Sequence, residues 1–299
     1  MFQSWLILSL LTGTFFGIQS ILLKYLSKEI EHPTILKYLF LIAGIFLLPF
    51  ALHSPSSLQL PNFLAAFSIS LILNTVAYFL LLKAITSYPI SIVMPFVGLT
   101  PLFLTLTSYL ILGETIGKIQ LLGILLIVVG GFILQIPPPE KRKKEGSFLR
   151  RYLNSGEKGI AYMILVAFIW SITASVEKIA VQSSSPSFYG ASIHLALGFS
   201  FLGMELWKRK TKLAIKGGRK IRIRSKILLF SLGIVSAALA IFQLTAIKLA
   251  FVTYVITFKR AGVLVSTLYA FLFFHERNYL KAIAGTLLIL GGSAIITLF

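Results

Sequence analysis

Aspartate is missing from all 299 positions of this chain, and so is cysteine. Without aspartate there is no aspartyl intramembrane protease dyad and little basis for Mg²⁺-dependent phosphoryl transfer. Without cysteine there is no disulfide framework and no thiolate metal site. Histidine is sparse: His32, His53, His194 and His275 lie far apart and show no HExxH-type spacing. No Ser/His dyad spacing compensates, so no catalytic residue, no metal ligand and no cofactor is expected, and an enzyme is disfavoured. Charge is also scarce. Asp, Glu, Lys and Arg make up 12% of the residues, against about 25% in ordinary soluble domains.

The chain is apolar instead, 57% hydrophobic with a mean hydropathy of +0.91. A soluble fold of this composition would expose large apolar patches and aggregate; a bilayer removes that problem. The net charge of +19 could suggest nucleic acid, but its placement argues otherwise. Seventeen of the 28 Lys and Arg fall in two segments between long apolar runs, Pro137 to Gly159 and Trp207 to Lys226. Excess Lys and Arg beside membrane spans marks cytoplasmic loops. The expected partners are therefore the lipid bilayer and a small-molecule substrate, without nucleic acid, in a monomer or homodimer.

A span needs about 20 mostly apolar residues. Ten runs qualify, at roughly 5–26, 35–53, 63–83, 88–112, 118–136, 159–181, 188–206, 227–246, 249–273 and 280–298. The first lacks the basic leader and small-residue cleavage site of a signal peptide, so it is expected to be retained. Turn signals such as Glu31-His32-Pro33 and Ser183-Ser184-Ser185-Pro186 separate the runs. The predicted fold class is an all-α polytopic membrane protein.

The chain also repeats itself. Phe16–Lys24 lines up with Trp170–Lys178. Gly113-Glu114 aligns with His275-Glu276, Gly123 and Gly130 with Gly285 and Gly292, and Ala84-Ile85 with Ala246-Ile247, all at one constant offset. Five runs fall in each half: a first repeat over 1–136, a basic Pro-rich linker over 137–158, and a second repeat over 159–299. Five is odd, so the second copy enters the membrane from the opposite side and the two five-helix repeats are inverted. Transporters built this way often hold substrate near the midplane. The Lys/Arg count puts the 137–158 and 207–226 loops in the cytoplasm of a cell (plasma or inner) membrane, with both termini outside.

This pattern resembles the drug/metabolite transporter superfamily, specifically its EamA-domain family, over essentially the whole chain. The resemblance rests on the five-plus-five repeat. It also rests on a hairpin signature reading Pro95, Pro101, Gly113-Glu114, Gly123 and Gly130-Gly131 in one half, and His275-Glu276, Gly285 and Gly291-Gly292 in the other. The resemblance implies export or exchange of small metabolites by alternating access. Members are usually drawn with cytoplasmic termini, where the charge count gives the opposite. The Lys259-Arg260 pair is similar to the one that binds substrate phosphate in triose-phosphate translocators, which implies an anionic substrate.

Lys259 and Arg260 are the most informative residues on their own terms. Each charge at a helix centre costs about 2.5–3.5 kcal/mol on insertion scales, so the pair should face a watery cavity or a counter-charge such as Glu177 or Glu205. Arg offers a planar fork for carboxylate or phosphate and Lys a point charge. Their first-half equivalents are Val97 and Gly98, so the pair breaks the repeat symmetry. Further candidates for substrate binding are Tyr254, Lys24, Glu177, Lys178, Gln19, Asn74, His194 and Gln243, each of which has a packing or snorkelling alternative. Tyr78, Trp170 and Phe258 are candidate pathway aromatics. Glu114 and Glu276 are expected to cap the next span's N-terminus, and Gly13, Gly17, Gly123, Gly130 and Gly285 to allow close helix approach. The expected function is a secondary active transporter of a small anionic metabolite with its site between the repeats. The alternative is a flippase for a lipid-linked substrate.

Overall fold

A computed structural model describes residues 2–27, 29–53, 58–88, 93–135, 157–210, 222–262 and 279–298. Among these, regular structure is entirely helical. The helices are α1 (Phe2–Leu26), α2 (His32–Leu52), α3 (Leu60–Ser87), α4 (Thr100–Leu112), α5 (Lys118–Gln135), α6 (Glu157–Gln182), α7 (Pro186–Lys210), α8 (Ile223–Leu249), α9 (Val252–Ala261) and α10 (Tyr279–Leu298). A 3-10 segment, Met94–Leu99, precedes α4. Among the described residues six helices, α1, α2, α3, α6, α7 and α8, are long and apolar enough to cross a membrane; the apolar stretches of Phe96–Leu112, Lys118–Ile133 and Ala284–Leu298 are shorter. Large apolar side chains stand exposed along these helices, among them Ile7, Phe50, Leu110 and Leu287. Water would penalise such a surface and lipid does not.

The chain divides into two compact units. The first comprises Met1–Thr75 and Glu177–Leu249, the second Val76–Val176 and Ala250–Phe299. The division falls inside α3 and α6, and each unit draws on both halves of the sequence.

In the first unit α2 packs on α7 and α8, and α8 on α1. Small residues make the approach close. A Cβ at Gly44 would meet the Leu195 backbone nitrogen at 2.9 Å, and one at Gly198 the Leu41 nitrogen at 3.0 Å. Ala43, Leu47, Ala191, Ala237 and Ala240 form a buried core.

In the second unit α5 packs along α10, and α9 along α4 and α5. The α5–α10 crossing is glycine on glycine. A Cβ at Gly123 would meet the Gly292 carbonyl oxygen at 2.7 Å, and one at Gly130 the Gly285 oxygen at 2.7 Å. Only hydrogen fits there, so both backbones lie in direct contact. Ala84, Val93, Val97 and Met163 form a separate buried cluster.

Candidate functional site

The 3-10 segment and α4 together cover one apolar run, and the change of helix type falls at Thr100. Pro95 and Pro101 bracket that point; each lacks the N–H that continuous helix would use. The later run beginning at 249 holds α9, which ends at Ala261 with Gly262 as its C-cap. Thr100 and Gly262 are 162 positions apart, the same offset that relates Gly123 to Gly285. The change of helix type in the earlier run and the end of α9 in the later one therefore fall at the same register.

The short helix α9 is tied at both ends. Gly113 sits at φ 69° and ends α4, its N–H donating to the Tyr109 oxygen at 3.0 Å. Glycine carries this left-handed conformation without the steric cost of a side chain. The turn positions Glu114, whose buried carboxylate accepts the Val252 N–H at 3.0 and 3.3 Å. Glu114 thus caps α9; the sequence reading had it capping the following span. The Ser108 and Thr253 hydroxyls lie 3.0 Å apart and join α4 to α9 next to this cap. The carboxylate meets the positive end of the helix dipole, and Lys259 and Arg260 stand at its negative end in the last turn.

Lys259 and Arg260 occupy the last turn of this ten-residue helix; the remainder of their apolar run, from 263, lies outside the described residues. Arg260 Nη2 donates to Thr100 Oγ1 at 3.1 Å, at the interruption of the earlier run. The Arg260 guanidinium carbon lies 5.5 Å from the Trp170 ring centroid, a cation–π distance. Tyr78 sets its ring edge-on to Trp170 at 5.6 Å. Tyr254 lies earlier on α9, half-buried, with its ring 5.5 Å from Phe251. Arg260, Thr100, Trp170 and Tyr78 are one polar-aromatic group, drawn from α9, α4, α6 and α3.

The other seven candidates belong to the first unit. Gln19 Nε2 donates to Ser236 Oγ at 2.5 Å, joining α1 to α8. Gln243 is buried two turns further along α8. His194 Nδ1 lies 2.8 Å from the Gly190 oxygen on its own helix, and its ring sits 5.7 Å from Phe40. Asn74 Nδ2 donates to Glu177 Oε1 at 3.4 Å, joining α3 to α6. Lys178 is buried in the protein, not extended along its surface. Lys24 lies on α1, but its side chain is outside the described ones. Glu276 and His275 also lie outside the described residues, as does the linker from 137 to 156.

Sequence reasoning missed Thr100 and Ser236. The one signal available was for Thr100, a hydroxyl beside Pro101 in a Pro-interrupted run.

Comparison with known proteins agrees with this architecture. A solved crystal structure covers 100% of this chain with 98% of its own, at a TM-score of 0.79 and 16% identity; at that identity the likeness is one of fold. A protein of Methanothermobacter thermautotrophicus described as an uncharacterized transporter is 28% identical over 193 residues. That match takes in 58% of this chain and 53% of the relative, so the chain spans about half the length of the curated relative it matches. The EamA-like transporter family matches twice, over residues 3–135 and again over 157–298. With both matches together taking in nearly the whole sequence, this multi-pass membrane protein belongs to the EamA-like transporter family.

Proposed function

We propose that the protein is a ten-span secondary transporter, an exporter or exchanger built from two inverted five-helix repeats, which moves a small anionic metabolite by alternating access. The observation that carries the anionic part is Arg260. It stands at the end of a short helix, held on Thr100 and over Trp170. Interrupted helices whose ends meet polar groups are a recurrent way to build a transporter site. A guanidinium held there presents a planar donor fork that suits carboxylate or phosphate, with the Lys259 charge beside it.

The repeat reading draws support from the α5–α10 crossing. The contacts pair Gly123 with Gly292 and Gly130 with Gly285. Exchanging each residue for its equivalent 162 positions away turns one pair into the other. A two-fold axis relating the repeats requires that exchange.

The test uses purified full-length protein in detergent, with thermal unfolding followed against inorganic phosphate, glutamate and a sugar phosphate. A ligand present at 100 times its dissociation constant stabilises by about 2.7 kcal/mol. At least one anion is expected to raise the transition in wild type and not in Arg260→Gln, with a reduced effect in Lys259→Gln. The same anion should then move in proteoliposomes. Stabilisation that survives both substitutions, or no stabilising anion at all, overturns the reading. A requirement for a polyprenyl tail on the ligand would replace the metabolite with a lipid-linked substrate.

A further inference from the structure

Three polar residues of the first unit that the anion reading leaves unused, Asn74, Ser70 and Tyr189, gather around one carboxylate. Glu177 is half-buried on α6, and its Oε1 accepts a hydrogen bond from Asn74, which is buried midway along α3. One turn before Asn74, on the same face of α3, stands Ser70 with no exposed surface. Tyr189, in the first turn of α7, is also fully buried. Its hydroxyl lies within interaction range of the Ser70 hydroxyl and the Glu177 carboxylate. Neither Ser70 Oγ nor Tyr189 OH completes a well-aligned hydrogen bond. Buried hydroxyls in this condition are costly, and native proteins rarely keep them without a use.

We propose that Glu177 is a reversible proton-binding site, with Asn74, Tyr189 and Ser70 as the groups that stabilise its two forms. On loading, a proton from water forms an O–H bond to a Glu177 carboxylate oxygen; on release that bond breaks and the proton returns to water. In the ionised form the carboxylate accepts N–H and O–H donors. In the neutral form it becomes a donor itself, and a hydroxyl can rotate to accept. The two misaligned hydroxyls are the pair able to make that change. Carboxylates inside membrane helices commonly serve as proton relays.

A metal cation fits the same residues less well. Glu177 is the one carboxylate of the group, and Asn74 turns its amide N–H toward it, which leaves fewer charged oxygens than a divalent cation takes. Among the described residues no three His, Cys, Asp or Glu come together to hold a metal ion. Among the described residues, the titratable and charged groups around Glu177 include Tyr189 from α7 and Lys178 on α6 itself, the latter about 100° around the helix. From α3 the facing groups, Asn74 and Ser70, do not titrate, and the side chain of Lys24 on α1 lies outside the described ones.

The inference rests on the chain being a transporter and not on the anionic substrate, and its test needs no substrate. Full-length protein in liposomes is titrated with acid and base while infrared difference spectra follow the carbonyl stretch of protonated carboxyl groups. Wild type is expected to show a band that grows as pH falls. Glu177→Gln removes it, and Glu31→Gln, at an exposed position, leaves it intact. Tyr189→Phe keeps the ring and removes one hydroxyl beside the carboxylate, so the titration of the band should move. That variant decides the matter should Glu177→Gln fail to fold. A band unchanged in Glu177→Gln overturns the proposal, as does a titration unmoved in both Tyr189→Phe and Ser70→Ala. A band that sodium abolishes and choline does not would also overturn it, in favour of a metal cation site.

Discussion

The two compact units spend their polar residues on different tasks. In the first, α1, α2, α7 and α8 run unbroken for 25, 21, 25 and 27 residues. Their polar side chains cross between helices: Gln19 to Ser236, Lys37 to Glu205 at 2.6 Å, and Ser225 to Glu29 at 2.5 Å. In the second, a 3-10 segment of six residues, α4 of 13 and α9 of ten carry the notable groups. There the polar side chains attend to helix ends: Gly113 ends α4, Glu114 starts α9, and Arg260 bridges the end of one to the start of the other. A continuous helix satisfies its own backbone, and an interrupted one leaves N–H and C=O groups that something else must meet. The second unit is the one whose polar side chains meet helix ends.

The largest effect expected from breaking this contrast lies at the α5–α10 crossing. A Cβ at Gly292 would meet the Gly123 oxygen at 2.5 Å and the Ile127 nitrogen at 3.1 Å, whereas nothing lies within 4 Å of one at Gly291. Gly292→Val should therefore cost about 3 kcal/mol through overpacking, with loss of monodisperse protein in detergent. Gly291→Val should behave like wild type. Equal tolerance at the two positions would mean that the second unit does not depend on this contact.

A smaller effect tests the cross-helix pairing of the first unit. Lys37 and Glu205 keep 10% and 18% of their side-chain surface exposed. Lys37→Met or Glu205→Met alone strands a charge and should cost about 2–4 kcal/mol. The double variant should cost clearly less than the sum, with coupling above about 0.5 kcal/mol by thermal unfolding. Strictly additive losses would show that the pair does not hold α2 to α7.

Sequence made the long helices legible and the interruptions only partly so. The runs expected over 5–26, 35–53 and 188–206 appear as α1, α2 and α7, with ends shifted by a few residues. A window of about 20 apolar residues identifies a span without help from its neighbours. The interruption at Thr100 had a local signal in Pro95 and Pro101. The end of α9 at Gly262 had none, because Phe251 to Val265 reads as a single apolar run around the charge pair. Arg260's partner lies 160 residues away, and no local pattern relates Thr100 to it. Glu114 shows how topology redirects a correct chemical idea. A capping carboxylate was foreseen, but the left-handed turn at Gly113 points it at α9 instead of α5. Ser70 and Tyr189 carried no signal, since a buried hydroxyl and a packed one read alike in sequence.

Glu114 offers a finer test of the second unit. Glu114→Ala removes the cap from the Val252 N–H and should cost about 1–2 kcal/mol. Glu114→Gln keeps an acceptor without the charge and should recover part of that. Since α9 carries Lys259 and Arg260 at its other end, both variants should also weaken any anion-dependent stabilisation. Unchanged anion response in a destabilised Glu114→Ala would separate the cap from the site.

The smallest effect is expected at His194, and it bears on how a lone intramembrane histidine should be read. Its Nδ1 is engaged by the Gly190 carbonyl one turn back, and its ring packs on Phe40, which in turn stacks on Phe201 at 5.8 Å. A ring used this way supplies an aromatic contact and one hydrogen bond within its own helix. His194→Phe preserves the aromatic contact and gives up one hydrogen bond within its own helix, a net change of about 1 kcal/mol or less. Thermal unfolding measured across neutral pH should give parallel curves for the two proteins. A pH dependence present in wild type and absent in His194→Phe would instead make this histidine a titrating element of the transport cycle. The first unit would then hold a functional proton acceptor besides Glu177, and its polar residues could no longer be divided into Glu177's cluster and the pairs that fasten helices.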